Sequence, residues 1–488
     1  MRVVVTGGGG YVGYHVGWAL SQGGHDVTLL DLQPPDPEWR ETAPRALWDA
    51  LPRGFWGEGQ QHPGSLEFVR GSVTDFKILE RHFQGASAVV HSASYGMSGR
   101  EQLPPHAPLQ EKVNVEGTRE VIRAAVSAKV RALVYTSTYN VVFGGRQIAE
   151  GDESLPFFSL HAHTDHYSRT KTIAEMLVLM ADGKCGPPAC HSLPPALQQG
   201  HASSPGTPQP CLRTCALRMN GVMGLGEKKH TRRVMNAIRS GLLILAYGRK
   251  EGLVDFIGIQ NVVQGHVKAL MALLREQSFS TQDFPATLPS PCKIVSCERL
   301  DSTDFSSSLS DGSCSVTSSD TSGSLIPASL SRISSSSVTS SLSPGSYPLV
   351  SGQAFFISDS APVSHFEYFR PLFEGLGYSF PAVTLPLCVI LLVAYLQEFV
   401  YCLVHRFLPF TPFVTPAEAY KSGVTHYCSC RKATRAFDYF PTRPNDLKQV
   451  VEYYRAQGCT KTHKTGIVSL LPLALFFILP VFILLIVL

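Results

Sequence analysis

The sequence predicts an α/β fold: a doubly wound parallel sheet, a smaller C-terminal substrate-binding part, and C-terminal membrane helices. Three observations carry this reading. A glycine-rich turn, Thr6-Gly7-Gly8-Gly9-Gly10-Tyr11-Val12-Gly13, lies between the apolar run Arg2-Val3-Val4-Val5 and a helical stretch over residues 11–20. Short apolar runs then alternate with helical patterns to about residue 180, which implies parallel strands joined by crossover helices. Residues 467–488 form an uncharged apolar run, about one bilayer long. A strand, a glycine turn and a helix open a Rossmann-type dinucleotide-binding unit.

The turn has a chemistry of its own. Gly7 and Gly10 let the backbone fold tightly and approach a pyrophosphate with no Cβ in the way. Gly13 lets the helix pack close to the sheet. The helix start at Tyr11 and Val12 offers free N–H groups and a positive dipole end to phosphates. An ordinary turn is the alternative for a lone glycine triplet. The second strand, residues 26–30, weighs against it, because it ends in Asp31, eighteen residues beyond Gly13. A carboxylate there accepts ribose hydroxyls of NAD and repels the 2′-phosphate of NADP.

The chain has 488 residues, ample for a core, and a net charge of +4 without a basic stripe. Nucleic acid is therefore not the expected partner. The twelve cysteines, Cys428-Ser429-Cys430 included, lack zinc-ligand spacing, and no metal site is expected. His161, His163 and His166 read as a polar surface loop. No signal peptide is read at the start, so free thiols in a reducing compartment are expected.

Taken in order, residues 1–182 read as the NAD-binding core with its catalytic helix. Strands are expected at 2–5, 26–30, 66–70, 88–93 and 132–136. Helices are expected at 76–83, 112–129 and 165–180, and a loop from 32 to 64. Residues 183–211 read as a low-complexity insertion, and 212–276 continue the core with a strand at 253–257 and a helix at 262–274. Residues 277–351 are Ser-rich low complexity, and 352–382 complete the substrate-binding part. Residues 383–405 are apolar but broken by Gln397 and Glu398, which points to membrane association rather than a clean span. A soluble segment, 406–466, and a C-terminal anchor, 467–488, follow. Lys461, His463 and Lys464 before the anchor suit a cytosolic flank.

The second constellation is Tyr167-Ser168-Arg169-Thr170-Lys171. Tyr and Lys four apart share one helix face. A phenol ionises near pH 10, too high for a proton carrier at neutral pH, and a neighbouring ammonium lowers that value. The pair opens the helix after the strand ending Thr136-Ser137-Thr138, where a hydroxyl can polarise a substrate oxygen. Ligands of open α/β sheets bind beyond such strand ends.

These residues, with His91-Ser92-Ala93-Ser94, Asn114-Val115-x-Gly117-Thr118, Leu217-Arg218-Met219-Asn220-Gly221, Val254-Asp255-Phe256-Ile257 and Phe369-Arg370-Pro371-Leu372, resemble the extended short-chain dehydrogenases/reductases of the 3β-hydroxysteroid dehydrogenase/isomerase type. Residues 94–101 and 423–427 resemble its 42E branch. The resemblance implies an NAD-dependent oxidoreductase acting on a secondary alcohol. Tyr167 is then the acid/base, Lys171 lowers its pKa and holds the ribose, and Thr138 binds the substrate oxygen, with Ser137 next in line. Asn114 supports the site. Ser72 and Val73 fall at the adenine contact, where many relatives carry Asp, and Met219 replaces a usual Pro. A lipophilic substrate, a steroid or sterol, is implied, with attachment to the endoplasmic reticulum, the catalytic part facing the cytosol, and a homodimer as the family expectation. A nucleotide-sugar epimerase or dehydratase is the alternative, if Arg218 or Arg249 served a second pyrophosphate; a non-enzymatic NAD-binding scaffold is the third reading.

Overall fold

The computed structural model describes residues 1–48, 63–185, 211–243, 245–249, 251–276, 349–407, 412–442 and 447–461. Seven strands, β1 (Arg2–Thr6), β2 (Asp26–Asp31), β3 (Leu66–Arg70), β4 (Ala88–His91), β5 (Ala132–Thr138), β6 (Arg213–Met219) and β7 (Gln353–Ile357), build the main sheet. Its order is β7-β6-β5-β4-β1-β2-β3, and every ladder is parallel. The strand order reverses between β1 and β4, which opens a crevice at their C-terminal ends. Strands buried on both faces read as unbroken apolar runs, and Val3, Val4 and Val5 are wholly buried. Helices Tyr11–Gln22 and Ile259–Glu276 cover one face. Phe76–Phe83, Gly117–Ser127 and His166–Leu179 cover the other. The Rossmann-type expectation holds.

A smaller lobe stands over the C-terminal strand ends. Gly221–Met223 pairs with Phe256–Gly258, and Leu245–Tyr247 with Val383–Leu385. A four-stranded sheet joins Val363–Ser364, Leu253–Val254, His426–Cys428 and Ile148–Gly151. Met235, Phe256, Phe369, Leu372 and Tyr454 form part of its own core.

Several expectations need correction. The loop expected at 32–64 contains a helix, Trp39–Trp48; the buried Trp39 indole donates to Gly226 O at 2.9 Å and anchors it. The helix expected at 112–129 is interrupted by a π-helical turn, Glu111–Glu116. The strand expected at 253–257 splits at Asp255 into two, because the backbone changes sheets there. The Ser-rich segment ends earlier than 351: Val350 is buried, and its N–H bonds Glu276. Free thiols were expected throughout, yet Cys185 and Cys211 are disulfide-bonded, with Cα atoms 4.3 Å apart. Two backbone bonds bring them together: Gly183 N donates to Leu212 O and Leu212 N donates to Lys184 O, both at 2.8 Å. The residues between them, most of the Ser-rich segment and the 467–488 run lie outside the described residues. Among the described residues one helix, Leu387–Val404, is long and apolar enough to cross a membrane.

Candidate active site

At the switch point the glycine turn is shaped by backbone contact. Gly7 has φ +73°, a conformation L side chains rarely adopt. A Cβ added at Gly9 would lie 1.9 Å from Gln33 O, and one at Gly13 2.2 Å from Gly7 O. At Gly10 the nearest protein atom would be 3.2 Å away, so the protein itself asks less of that position. No side chain caps the helix that starts at Tyr11, and its first N–H groups stay free to donate. The Gly9 N–H donates to Asp31 Oδ2 at 3.0 Å, tying the end of β2 to the turn. Tyr11 is anchored by its hydroxyl on Leu225 O at 3.0 Å.

His91, wholly buried at the end of β4, bridges Thr6 at 2.7 Å and Thr118 at 2.9 Å. Burial, and then the Lys171 charge, push its pKa down to about 3. A neutral imidazole thus locks β1, β4 and the following helix in register.

Asp165 caps the helix His166–Leu179, accepting from Ser168 N and Ser168 Oγ at 2.8 Å. This start puts Tyr167 in the first turn and Lys171 one turn on, both buried. Lys171 Nζ donates to Thr136 O at 2.7 Å and stands 4.1 Å over the Tyr135 ring. Burial pushes its pKa down to about 7, with Glu175 opposing. Burial, and then the Asp165 charge, push the Tyr167 phenol well up, while a hydrogen bond with Ser94 acts in the opposite sense. Burial would raise Asp165 too, but the Lys421 ammonium, 3.4 Å away, and the Ser168 bonds hold it below the usual range.

Thr138 Oγ1 accepts the Asn140 N–H at 3.3 Å. Ser137, the second choice for the substrate oxygen, is committed elsewhere: its hydroxyl donates to Glu175, which is ion-paired with Arg218 at 2.7 Å. Asn114 sits in the π-helical turn. It accepts from Tyr95 N at 2.8 Å and donates to Tyr95 O and Thr170 Oγ1, both at 2.9 Å. It therefore ties the loop after β4 to the helix His166–Leu179 between Tyr167 and Lys171, and does not itself line the cleft. Ser72 and Val73 do line it; the Ser72 hydroxyl is bonded to Thr74 at 2.8 Å.

One cleft of about 1310 Å³ is lined by Gly7, Gly10, Tyr11, Val12, Gly13, Asp31, Thr138, Tyr167 and Lys171. Four participants escaped the sequence reading: Gly9, Ser94, Glu175 and Lys421. Gly9 was legible as one glycine of a run of four. The others depend on which distant strands and helices meet. The Cβ-intolerant turn, uncapped helix start and Asp31 fit a dinucleotide. Gly9→Ala is expected to weaken NAD binding at least about tenfold, ~1.4 kcal/mol, by calorimetry, because backbone at Gln33 has to move.

A family model described as 3-beta hydroxysteroid dehydrogenase/isomerase matches residues 4–188 and 204–293. The chain belongs to that family. Short-chain dehydrogenase/reductase family 42E member 1 of Danio rerio is 37% identical over 473 residues, 97% of this chain and 93% of that protein. The Homo sapiens protein of the same name is 35% identical, covering 93% of this chain and 88% of its own. Among solved structures, a UDP-glucose-4-epimerase from Stenotrophomonas maltophila with bound NAD is 16% identical, covers 94% of this chain and 99% of its own, and has a TM-score of 0.52; it shares the fold. This member of the 3-beta hydroxysteroid dehydrogenase/isomerase family is accordingly an NAD-dependent enzyme of the short-chain dehydrogenase/reductase type.

Proposed function

We propose that the enzyme interconverts a lipophilic secondary alcohol, a steroid or sterol, and its ketone, with Tyr167 as the acid/base. The observation that carries the substrate class is the apolar share of the cleft lining, which includes Met97, Leu243, Tyr247, Phe366, Phe369 and Phe373. Most of the cations that line the same cleft are spoken for, Arg233 by Glu418, Lys421 by Asp165, Lys228 by Asp36 and Glu38, and Lys229 by Glu101, while Arg100 is exposed and has no ion pair among the described residues. Arg218 is held by Glu175 and does not reach the cleft wall. A nucleotide-sugar substrate would need cations for its pyrophosphate, so this pattern favours the lipophile.

Tyr167 Oη takes the proton of the substrate hydroxyl in oxidation and returns it in reduction. By the resemblance Lys171 favours the phenolate and holds the nicotinamide ribose; in the structure burial and Asp165 govern the phenol, and Lys171 is itself pushed down to about 7. Thr138 Oγ1 already accepts from Asn140, which leaves its hydrogen to donate to the substrate oxygen. Bound NAD supplies the hydride acceptor, held by the Gly7–Gly13 turn and Asp31, with Ser72 and Val73 beside the adenine end. The apolar helix Leu387–Val404 supports membrane association, at the endoplasmic reticulum by the resemblance, where such substrates partition.

Calorimetry with NAD(H) and NADP(H), followed by a screen of steroids and sterols, tests the reading. NAD binding well above NADP binding is expected. Asp31→Asn keeps an acceptor for Gly9 N but removes the charge, and should raise the NADP-to-NAD affinity ratio about tenfold or more. Equal preference in the parent protein would remove Asp31 from this role, and no binding of either would return the scaffold reading to first place.

A further inference from the structure

We infer that the helix Leu387–Val404 lies in the plane of a bilayer surface, its outer face inserted among the lipid chains, rather than crossing the membrane. This deepens the membrane association proposed above. The helix is amphipathic in an inverted sense. Ile390, Ala394, Val400, Tyr401 and Val404 are buried against the protein. The opposite face carries Leu392 (71% exposed), Tyr395 (54%), Phe399 (51%) and, just past the helix end, Phe407 (84%). On a water-facing helix the exposed side is polar; here the polar groups turn inward. Gln397 is buried and its Oε1 accepts from Phe413 N at 2.9 Å. Glu398, the helix's lone charged residue, is half-buried. Tyr401 reaches His106, which hydrogen-bonds Tyr95 at 2.9 Å.

These contacts exclude a span. Length alone would allow one, since eighteen residues make about 27 Å of helix, close to the roughly 30 Å hydrocarbon core; the polar contacts would not. Crossing would place the whole circumference in lipid and strip Gln397, Glu398 and Tyr401 of their protein surroundings, leaving polar groups in hydrocarbon. An in-plane helix keeps them and immerses only the apolar ridge.

The occupant is lipid rather than a second copy of the chain. A stable protein interface takes roughly 20–30 residues a side, and this ridge offers few side chains on one helix. The sequence supplies a bilayer-length run, 467–488, that would hold the chain at a membrane regardless. Arg406 is exposed beside Leu403 and Phe407, at the level where basic side chains meet headgroups. The placement has a consequence for the cleft. Phe413, bonded to Gln397, and Val414 form part of the cleft wall, so the inserted helix backs directly onto the lipophile's binding surface.

The test uses the full chain on phosphatidylcholine vesicles, with tryptophan placed at Leu392, Phe399 or, as control on another surface, Met180. Brominated phosphatidylcholines with bromine at a shallow or a deep chain position serve as quenchers. The expected result is strong quenching at 392 and 399, to the same shallow depth, and little at 180. A spanning helix would give depths that change along its length, with the middle deepest. Vesicle association without quenching at 392 and 399 would mean that protein, either the 467–488 run or a second copy, covers the face. Either result overturns the in-plane placement. Failure to associate with vesicles at all would sink membrane association itself. None of these readouts involves turnover, so they stand or fall apart from the catalytic assignment.

Discussion

Tyr167→Phe is expected to lower turnover roughly a thousandfold, within the range that general acid–base catalysis contributes, while NAD binding changes little. The phenol touches the reacting oxygen in the proposed chemistry, whereas the glycine turn and Asp31 hold the cofactor without it. Burial and Asp165 both disfavour the phenolate. Oxidation needs that phenolate and should therefore speed up as pH rises; reduction needs the neutral phenol and should slow. The Phe variant should lose this opposition and leave a flat residual rate in both directions. Steady-state kcat and KM across pH, beside calorimetric NAD affinity, decide the matter. A Phe variant that keeps substantial turnover removes Tyr167 from the mechanism; one that loses NAD binding as well makes the residue structural.

Arg218→Met is expected to cost about 3–5 kcal/mol of stability, the usual penalty for breaking a buried pair by removing one partner. Arg218 meets Glu175 through Nε at 2.9 Å and Nη2 at 2.7 Å, with side chains only 5% and 0% exposed. The Glu175 carboxylate also accepts from Ser137, so the variant leaves a charge stranded beneath the end of β5. Glu175 already favours the charged form of Lys171, and without Arg218 that influence is uncompensated. Replacing both partners, Glu175→Leu with Arg218→Met, should recover most of the loss, since apolar groups of similar volume substitute well for buried pairs. Denaturant unfolding of the two variants measures this. A single variant as stable as the parent protein would mean that the pair contributes nothing.

Much of the site was readable before any coordinates. The glycine run, Asp31 and the Tyr167–Lys171 spacing are local patterns, each set within one turn, one strand end or one helix face. What failed was of another kind. Trp39 looked like a loop residue because the partner that orders it, Gly226, is 187 residues away. Ser137 and Thr138 are adjacent on β5 and chemically alike; only the approach of Glu175 from the helix His166–Leu179 decides which hydroxyl is spent. Cys185 and Cys211 meet because backbone bonds close the segment ends on each other, which spacing does not announce. Gln397 and Glu398 looked like interruptions of an apolar helix, and become intelligible once the helix has an inner side.

Patterns along the chain sufficed for the doubly wound sheet, the glycine turn and the one-turn spacing of Tyr167 and Lys171. Apolar periodicity, glycine sterics and helix spacing are properties of neighbours along the chain. The tertiary structure alone decided which hydroxyl stays free, which cations are neutralised, and which way the apolar helix faces. Those depend on charges and surfaces brought together from β5, β6, the helix His166–Leu179 and residues 412–423, and burial there amplifies every unpaired charge.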